Sequence, residues 1–178
     1  IKSVWLNKLK IARKEKKKPS LDYKIITSWN GLMISGYVNA YKAINDEVFM
    51  NEAINAGEFI YSNLVKKDGG LFHNYVNGQS KINGYLEDYA MVIQASLDLY
   101  EITLNQLWIE RALKLSEYVI NNFSSSESEL FYFTSKKDED LISRSVEFRD
   151  NVIPSSNSIM AKNLFRLLKS NPKPYIGC

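Results

Sequence analysis

Hydrophobic positions along the chain recur at helical spacing in blocks of about sixteen residues. Residues 29–44 distribute Leu32, Met33, Ile34, Tyr37, Val38, Ala40 and Tyr41 around most of a helix, and residues 88–101 do the same with Ala90, Met91, Val92, Ile93, Leu97, Leu99 and Tyr100. Helices apolar on most sides are buried on most sides. Residues 49–64 instead keep one stripe, Phe49, Ala53, Ala56, Phe59, Ile60 and Leu64, and turn Glu52, Asn55 and Ser62 outward. Residues 107–123 repeat that stripe with Leu107, Trp108, Ala112, Leu115, Val119 and Phe123. The pattern predicts an inner helix paired with an outer helix, twice.

The two pairs are copies. A shift of 59 positions sets Tyr41 on Tyr100, Phe49 on Trp108, Ala53 on Ala112, Glu58 on Glu117 and Phe72 on Phe131 without a gap. After the first pair, Asp68-Gly69-Gly70 signals a turn, residues 71–76 alternate as a strand, and Asn77-Gly78 is a strong hairpin cue. The second copy predicts a strand over 130–134, a polar excursion over 135–140 and a further extended stretch near 141–146. Pro154-Ser155-Ser156-Asn157 then opens a third inner helix over about 156–169, with Ser156 as the expected N-cap. Pro172 and Pro174 oppose a restart. An amphipathic helix over 3–16 precedes the repeats. Stacked hairpins with inner and outer layers form a solenoid or a closed ring, and the strands at the junctions favour the ring. The expected fold is therefore all-α with small β-hairpins, an incomplete (α/α)6 toroid within one partial domain, 1–178. Its hairpins span about 28–65 and 88–123.

Composition narrows the chemistry. A chain of 178 residues with 45% hydrophobic and 24% charged residues is long enough for one sizeable core. Its single cysteine, Cys178, excludes an intrachain disulfide and a cysteine-rich zinc site, and its single histidine, His73, excludes any mechanism needing two imidazoles in this chain. A reducing, cytoplasmic setting is the expectation. The net charge of +3 is local: residues 1–24 hold nine Lys/Arg against Glu15 and Asp22, so the remainder is net acidic. The basic run at 13–18 reads as a solvated helix face. Neither nucleic acid nor a membrane is expected as a partner, and no cofactor or metal-ligand set stands out. The opening Ile and the apolar pattern that begins at Ile159 and soon stops read as a segment of a longer protein.

Repeat register makes the starts of the inner helices converge. Trp29 and Asn30, then Glu87, Asp88 and Tyr89, then Asn157 are expected on one rim, at the positive ends of three helix dipoles. Asp22, Lys24 and Asp150 lie just upstream of those starts. Asp22, Glu87 and Asp88 are the candidate acid and base groups, with Lys24, Trp29, Asn30, Tyr89, Asp150 and Asn157 as candidate substrate contacts. The alternative for each is structural: Asp88 and Ser156 as caps, and Asp22 paired with Lys24. Trp108 reads as core. His73 reads as structural unless the hairpin folds over the rim.

The string 22–33, DYKIITSWNGLM, resembles a signature of the spermatogenesis-associated protein 20 family of thioredoxin-domain-containing proteins. So do Gly84 to Ala90 with Leu97 to Tyr100, and Asp150 followed by Pro154 to Ser158. The resemblance implies a segment of an incomplete (α/α)6 barrel similar to N-acylglucosamine 2-epimerases and six-hairpin glycosidases, following an N-terminal thioredoxin-like domain. Tyr23 stands where the family tends to have a second acid, and Ser156 where it tends to have Gly. The related epimerases rely on histidines that this chain does not supply, so epimerase activity is not implied. The expected function is a carbohydrate-related barrel domain whose rim binds a sugar or polyol in the full-length protein, the isolated segment being inactive. The competing expectation is a non-catalytic scaffold beside the thioredoxin-like domain, and a third is self-association through uncovered barrel faces.

Overall fold

The computed structural model describes residues 2–138 and 143–170. In chain order the elements are α1 (Lys2–Glu15), β1 (Ile25–Ile26), α2 (Thr27–Ile44), α3 (Glu47–Asn63), β2 (Phe72–Val76), β3 (Gln79–Asn83), α4 (Leu86–Thr103), α5 (Gln106–Phe123) and α6 (Ser156–Ser170). Helices α2, α4 and α6 lie side by side as an inner layer, with α3 packed outside α2 and α5 outside α4. Two complete helical hairpins and one further inner helix are the expected architecture. No helix among the described residues is long and apolar enough to cross a membrane.

The core lies between the layers. Trp108, Tyr89, Phe123, Ile34, Ile60 and Leu99 are among its largest fully buried side chains, each worth about 1.5–3 kcal/mol in transfer free energy. Trp108 fits against α3 because Gly57 has no side chain; a Cβ there would meet the indole at 2.7 Å. Gly31 has the same role between α2 and α4, where a Cβ would meet the Met91 backbone at 2.8 Å. Inner-helix burial is unequal, however. Eleven of the eighteen residues of α4 are buried but only six of the eighteen in α2, because α4 has neighbours on both flanks. Trp29 and Met33 on α2, and Phe165 and Leu168 on α6, remain more than half exposed.

Capping follows the repeat. Asp46 accepts from the Val48 N–H at the start of α3, and Asn105 accepts from the Leu107 N–H at the start of α5. The inner helices α2 and α4 each end on a left-handed residue, Asn45 (φ 58°) and Leu104 (φ 53°). The β2–β3 hairpin turns on Asn77 (φ 49°) and Gly78 (φ 79°), the two positive φ values that a tight primed turn requires. Strand β1, which the sequence pattern does not announce, extends this hairpin to a three-stranded antiparallel sheet in the order β1-β2-β3, with Ile26 opposite Asn74.

Three expectations are corrected. Residues 130–134 form no strand, only an isolated bridge from Ser124 to Phe131, because Phe133 takes its amide to Ser145 and its carbonyl to Leu86 at the start of α4. Of the second extended stretch, residues 141–142 lie outside the described residues, and 143–146 are irregular. The N-cap of α6 is Ser155 rather than Ser156, since the Ser155 Oγ accepts from the Ser158 N–H at 3.2 Å. Helix α1 forms where expected but has no buried residue. Pro172, Pro174 and Cys178 lie outside the described residues.

Candidate functional site

Strand β1 runs straight into α2 and pairs with β2, so the sheet delivers His73 to the gap between the starts of α2 and α4. Thr27 secures the junction by donating its hydroxyl to the Phe72 carbonyl at 2.6 Å. Asp88, in the first turn of α4, is fully buried there. Its Oδ1 accepts from the Ser28 N–H at 2.9 Å, and its Oδ2 accepts from the Tyr85 N–H at 2.9 Å and meets His73 Nδ1 at 2.9 Å. One carboxylate thus caps two helices and orients an imidazole. Burial pushes the Asp88 carboxyl upward, and the His73 and amide hydrogen bonds oppose that push. The hydrogen bond to Asp88 raises His73 above its ordinary value against partial desolvation. The imidazole packs edge-on against Tyr85, centroids 4.9 Å apart.

Beside them, Glu87 lines a cleft of about 250 Å³ whose walls also include Ser28, Trp29, Met91, Glu147 and Ser156. No hydrogen bond among the described residues reaches its carboxyl, which desolvation first and the Asp88 charge second push upward. Trp29, 62% exposed, is part of the same wall. Glu147 caps α6 from outside, accepting from the Ser156 N–H at 3.2 Å and from its hydroxyl. Ser28 Oγ is buried at the cleft wall without a partner among the described residues.

The structure brings Glu87, Asp88, Trp29 and Asn157 to the inner-helix starts, but not all of them to the cleft. Asn157 is spent on the Phe131 backbone, accepting from its N–H at 2.8 Å and donating to its carbonyl at 3.0 Å. Asn30 donates to the Ile26 carbonyl at 2.8 Å. Tyr89 is core: its hydroxyl accepts from the Leu71 N–H at 2.8 Å and its ring stacks on Tyr118. Asp150 accepts from the Ser155 N–H at 2.8 Å, which holds its carboxyl low. Asp22 and Lys24 pair with each other at 3.2 Å on an exposed segment outside the cleft wall. Two participants carry little signal in the sequence, His73 and Glu147. The first is betrayed only by strand pairing, and the second by nothing stronger than an acid nine residues before a helix start.

The positive helix ends are answered from within the chain. Asp88 takes an amide of α2 and Glu147 an amide of α6, so carboxylates occupy those donors and the rim is acidic. His73, Glu87 and Asp88 each place a ligand-type atom within 4.8 Å of the others. Both Asp88 oxygens are already committed to amides, and His73 Nδ1 to Asp88. That arrangement suits a held proton better than a metal ion.

These inner and outer helices with a junction hairpin define a part of an (α/α)6 toroid. Solved structures with this architecture include the cellobiose 2-epimerase of Bacillus thermoamylovorans (TM-score 0.68, 16% identity, 86% of this chain and 41% of that one). The unsaturated glucuronyl hydrolase of Bacillus sp. GL1 gives 0.67 at 15% identity over 90% of this chain and 45% of that one. An inactive variant of a Salegentibacter α-1,6-mannanase, replaced at two consecutive aspartates and complexed with α-1,6-mannotriose, gives 0.64 at 16% identity over 84% and 43%. In sequence the chain is similar to spermatogenesis-associated protein 20: it is 34% identical to both the human and the rat protein over 173 residues, 91% of this chain. The chain spans 22% of the length of those relatives. No family model matches the chain.

Proposed function

We propose that this chain supplies the acidic rim of a carbohydrate-handling toroid, with a sugar or similar polyol lying in the cleft between Trp29 and Glu87 and Glu87 acting as acid and base. The carrying observation is Glu87 itself: a half-buried carboxyl with raised affinity for its proton, unbonded among the described residues, sharing its cleft with an exposed indole. A carboxyl shifted towards neutrality is the type of group that exchanges protons with a sugar oxygen. An indole face suits the apolar face of a sugar ring. The buried Ser28 hydroxyl offers a further partner to a ligand hydroxyl. The neighbours' names support the ligand class. Asp88, with both oxygens engaged, is the supporting member of the pair.

Calorimetric titration of the intact protein with cellobiose and α-1,6-mannotriose tests this reading. Trp29→Ala is expected to weaken binding about tenfold, or roughly 1.4 kcal/mol, and Glu87→Gln to weaken it or stop turnover. Absence of binding to both sugars, or binding that ignores both substitutions, overturns it. The scaffold reading draws on a different observation, the internal satisfaction of Asp88, Asn157 and Asp150. It requires the cleft to be filled by protein.

A further inference from the structure

Deepening the reading above, and resting on it for the role of the cleft, we propose that His73, Glu87 and Asp88 form a coupled set in which Asp88 stays ionised and one proton is distributed between His73 and Glu87. Asp88 is then the positioning residue, and the hairpin, through His73, sets the charge state of the cleft carboxyl.

The geometry argues for this division. With amide donors on both of its oxygens and His73 Nδ1 2.9 Å from Oδ2, the arrangement is satisfied by an ionised carboxylate facing an Nδ1–H. That bond fixes the tautomer and leaves Nε2 as the nitrogen that titrates. Glu87 lies within 4.8 Å of both partners, and His73 keeps 19% of its side chain accessible, so the ring exchanges protons with solvent.

Charge then couples the two titrating groups. When His73 is protonated, its charge offsets Asp88 and favours ionised Glu87. When His73 is neutral, the uncompensated Asp88 charge favours the protonated Glu87 acid. Both forms carry the same single proton and the same net charge of the set, so neither a metal nor an external charge is needed to interconvert them. The other groups facing the set are Tyr85, whose ring packs on the imidazole, and Glu147, whose charge pushes Glu87 further upward.

The chain carries a single histidine, so ring 15N–1H spectra report on His73 alone. Expected are an Nδ1–H tautomer, a midpoint above the ordinary histidine value, and a fall in that midpoint of ~0.5 pH unit or more in Glu87→Gln, where an anion is lost. Glu87→Gln removes no hydrogen bond among the described residues, so the fold is expected to survive it. An Nε2–H tautomer, or a midpoint unchanged by Glu87→Gln, overturns the proposal. No sugar enters this experiment: coupled titration without sugar binding would refute the carbohydrate reading alone, and sugar binding without coupled titration would refute this one alone.

Discussion

The two helical hairpins, α2–α3 and α4–α5, match in length, in the acceptor that caps the outer helix and in the left-handed residue that ends the inner one. They part at the start of the inner helix. Register sets Ser28 and Trp29 of the first copy on Glu87 and Asp88 of the second, and His73 on Tyr132. In the second copy an acid in the first turn caps its own helix. The first copy has no such acid: its N-cap residue, Ile26, bonds nothing with its side chain, and the Ser28 amide borrows Asp88 from the neighbouring helix. The position freed by that loan holds Trp29, which faces the cleft. The scaffold is shared between the copies, and the candidate site lies where they diverge.

The largest expected effect separates two of the three tryptophans, Trp108 and Trp29. Trp108→Ala leaves a cavity among Gly57, Leu99 and Tyr61 and is expected to cost about 3–5 kcal/mol in chemical unfolding. Trp29→Ala, at an exposed site, is expected to change stability by less than about 0.5 kcal/mol while removing the cleft wall. Equal losses of stability would break the distinction between a core aromatic and a ligand-facing one. Next in size is Asp88→Ala, which strips acceptors from the Ser28 and Tyr85 amides. A loss of about 2–4 kcal/mol is expected, with hydrogen exchange faster at the first turns of both α2 and α4. Faster exchange in α4 alone would show that the first copy does not depend on the second for its cap. The smallest effect concerns the helix ends. Leu104 is 74% exposed in a left-handed conformation that costs a branched residue more than it costs Asn. Leu104→Asn, which copies Asn45 into the second unit, is expected to raise stability by about 0.5–1 kcal/mol.

Much of the fold is legible in the sequence because inner and outer helices bury different fractions of their surface, and that difference is written in the width of their apolar stripes. Asn77-Gly78 announces its turn for an equally local reason, its positive φ values. The site is legible only in part. Glu87 and Trp29 follow from helix register. Tyr89 does not belong with them, because two residues beyond Glu87 the helix has turned by about 200°, towards Tyr118 and the core. Asp22 and Lys24 are near the site in sequence but satisfy each other two residues apart. His73 arrives through the pairing of Ile26 with Asn74, a contact across 48 residues that no local pattern encodes.

The central claim is that the space between Trp29 and Glu87 is a ligand site. A crystal structure of the intact protein soaked with α-1,6-mannotriose tests it most directly. The account predicts sugar density stacked on the Trp29 indole with a hydroxyl or glycosidic oxygen within hydrogen-bonding distance of the Glu87 carboxyl. A cleft packed with side chains from the rest of the protein, leaving Glu87 bonded and Trp29 buried, would contradict it.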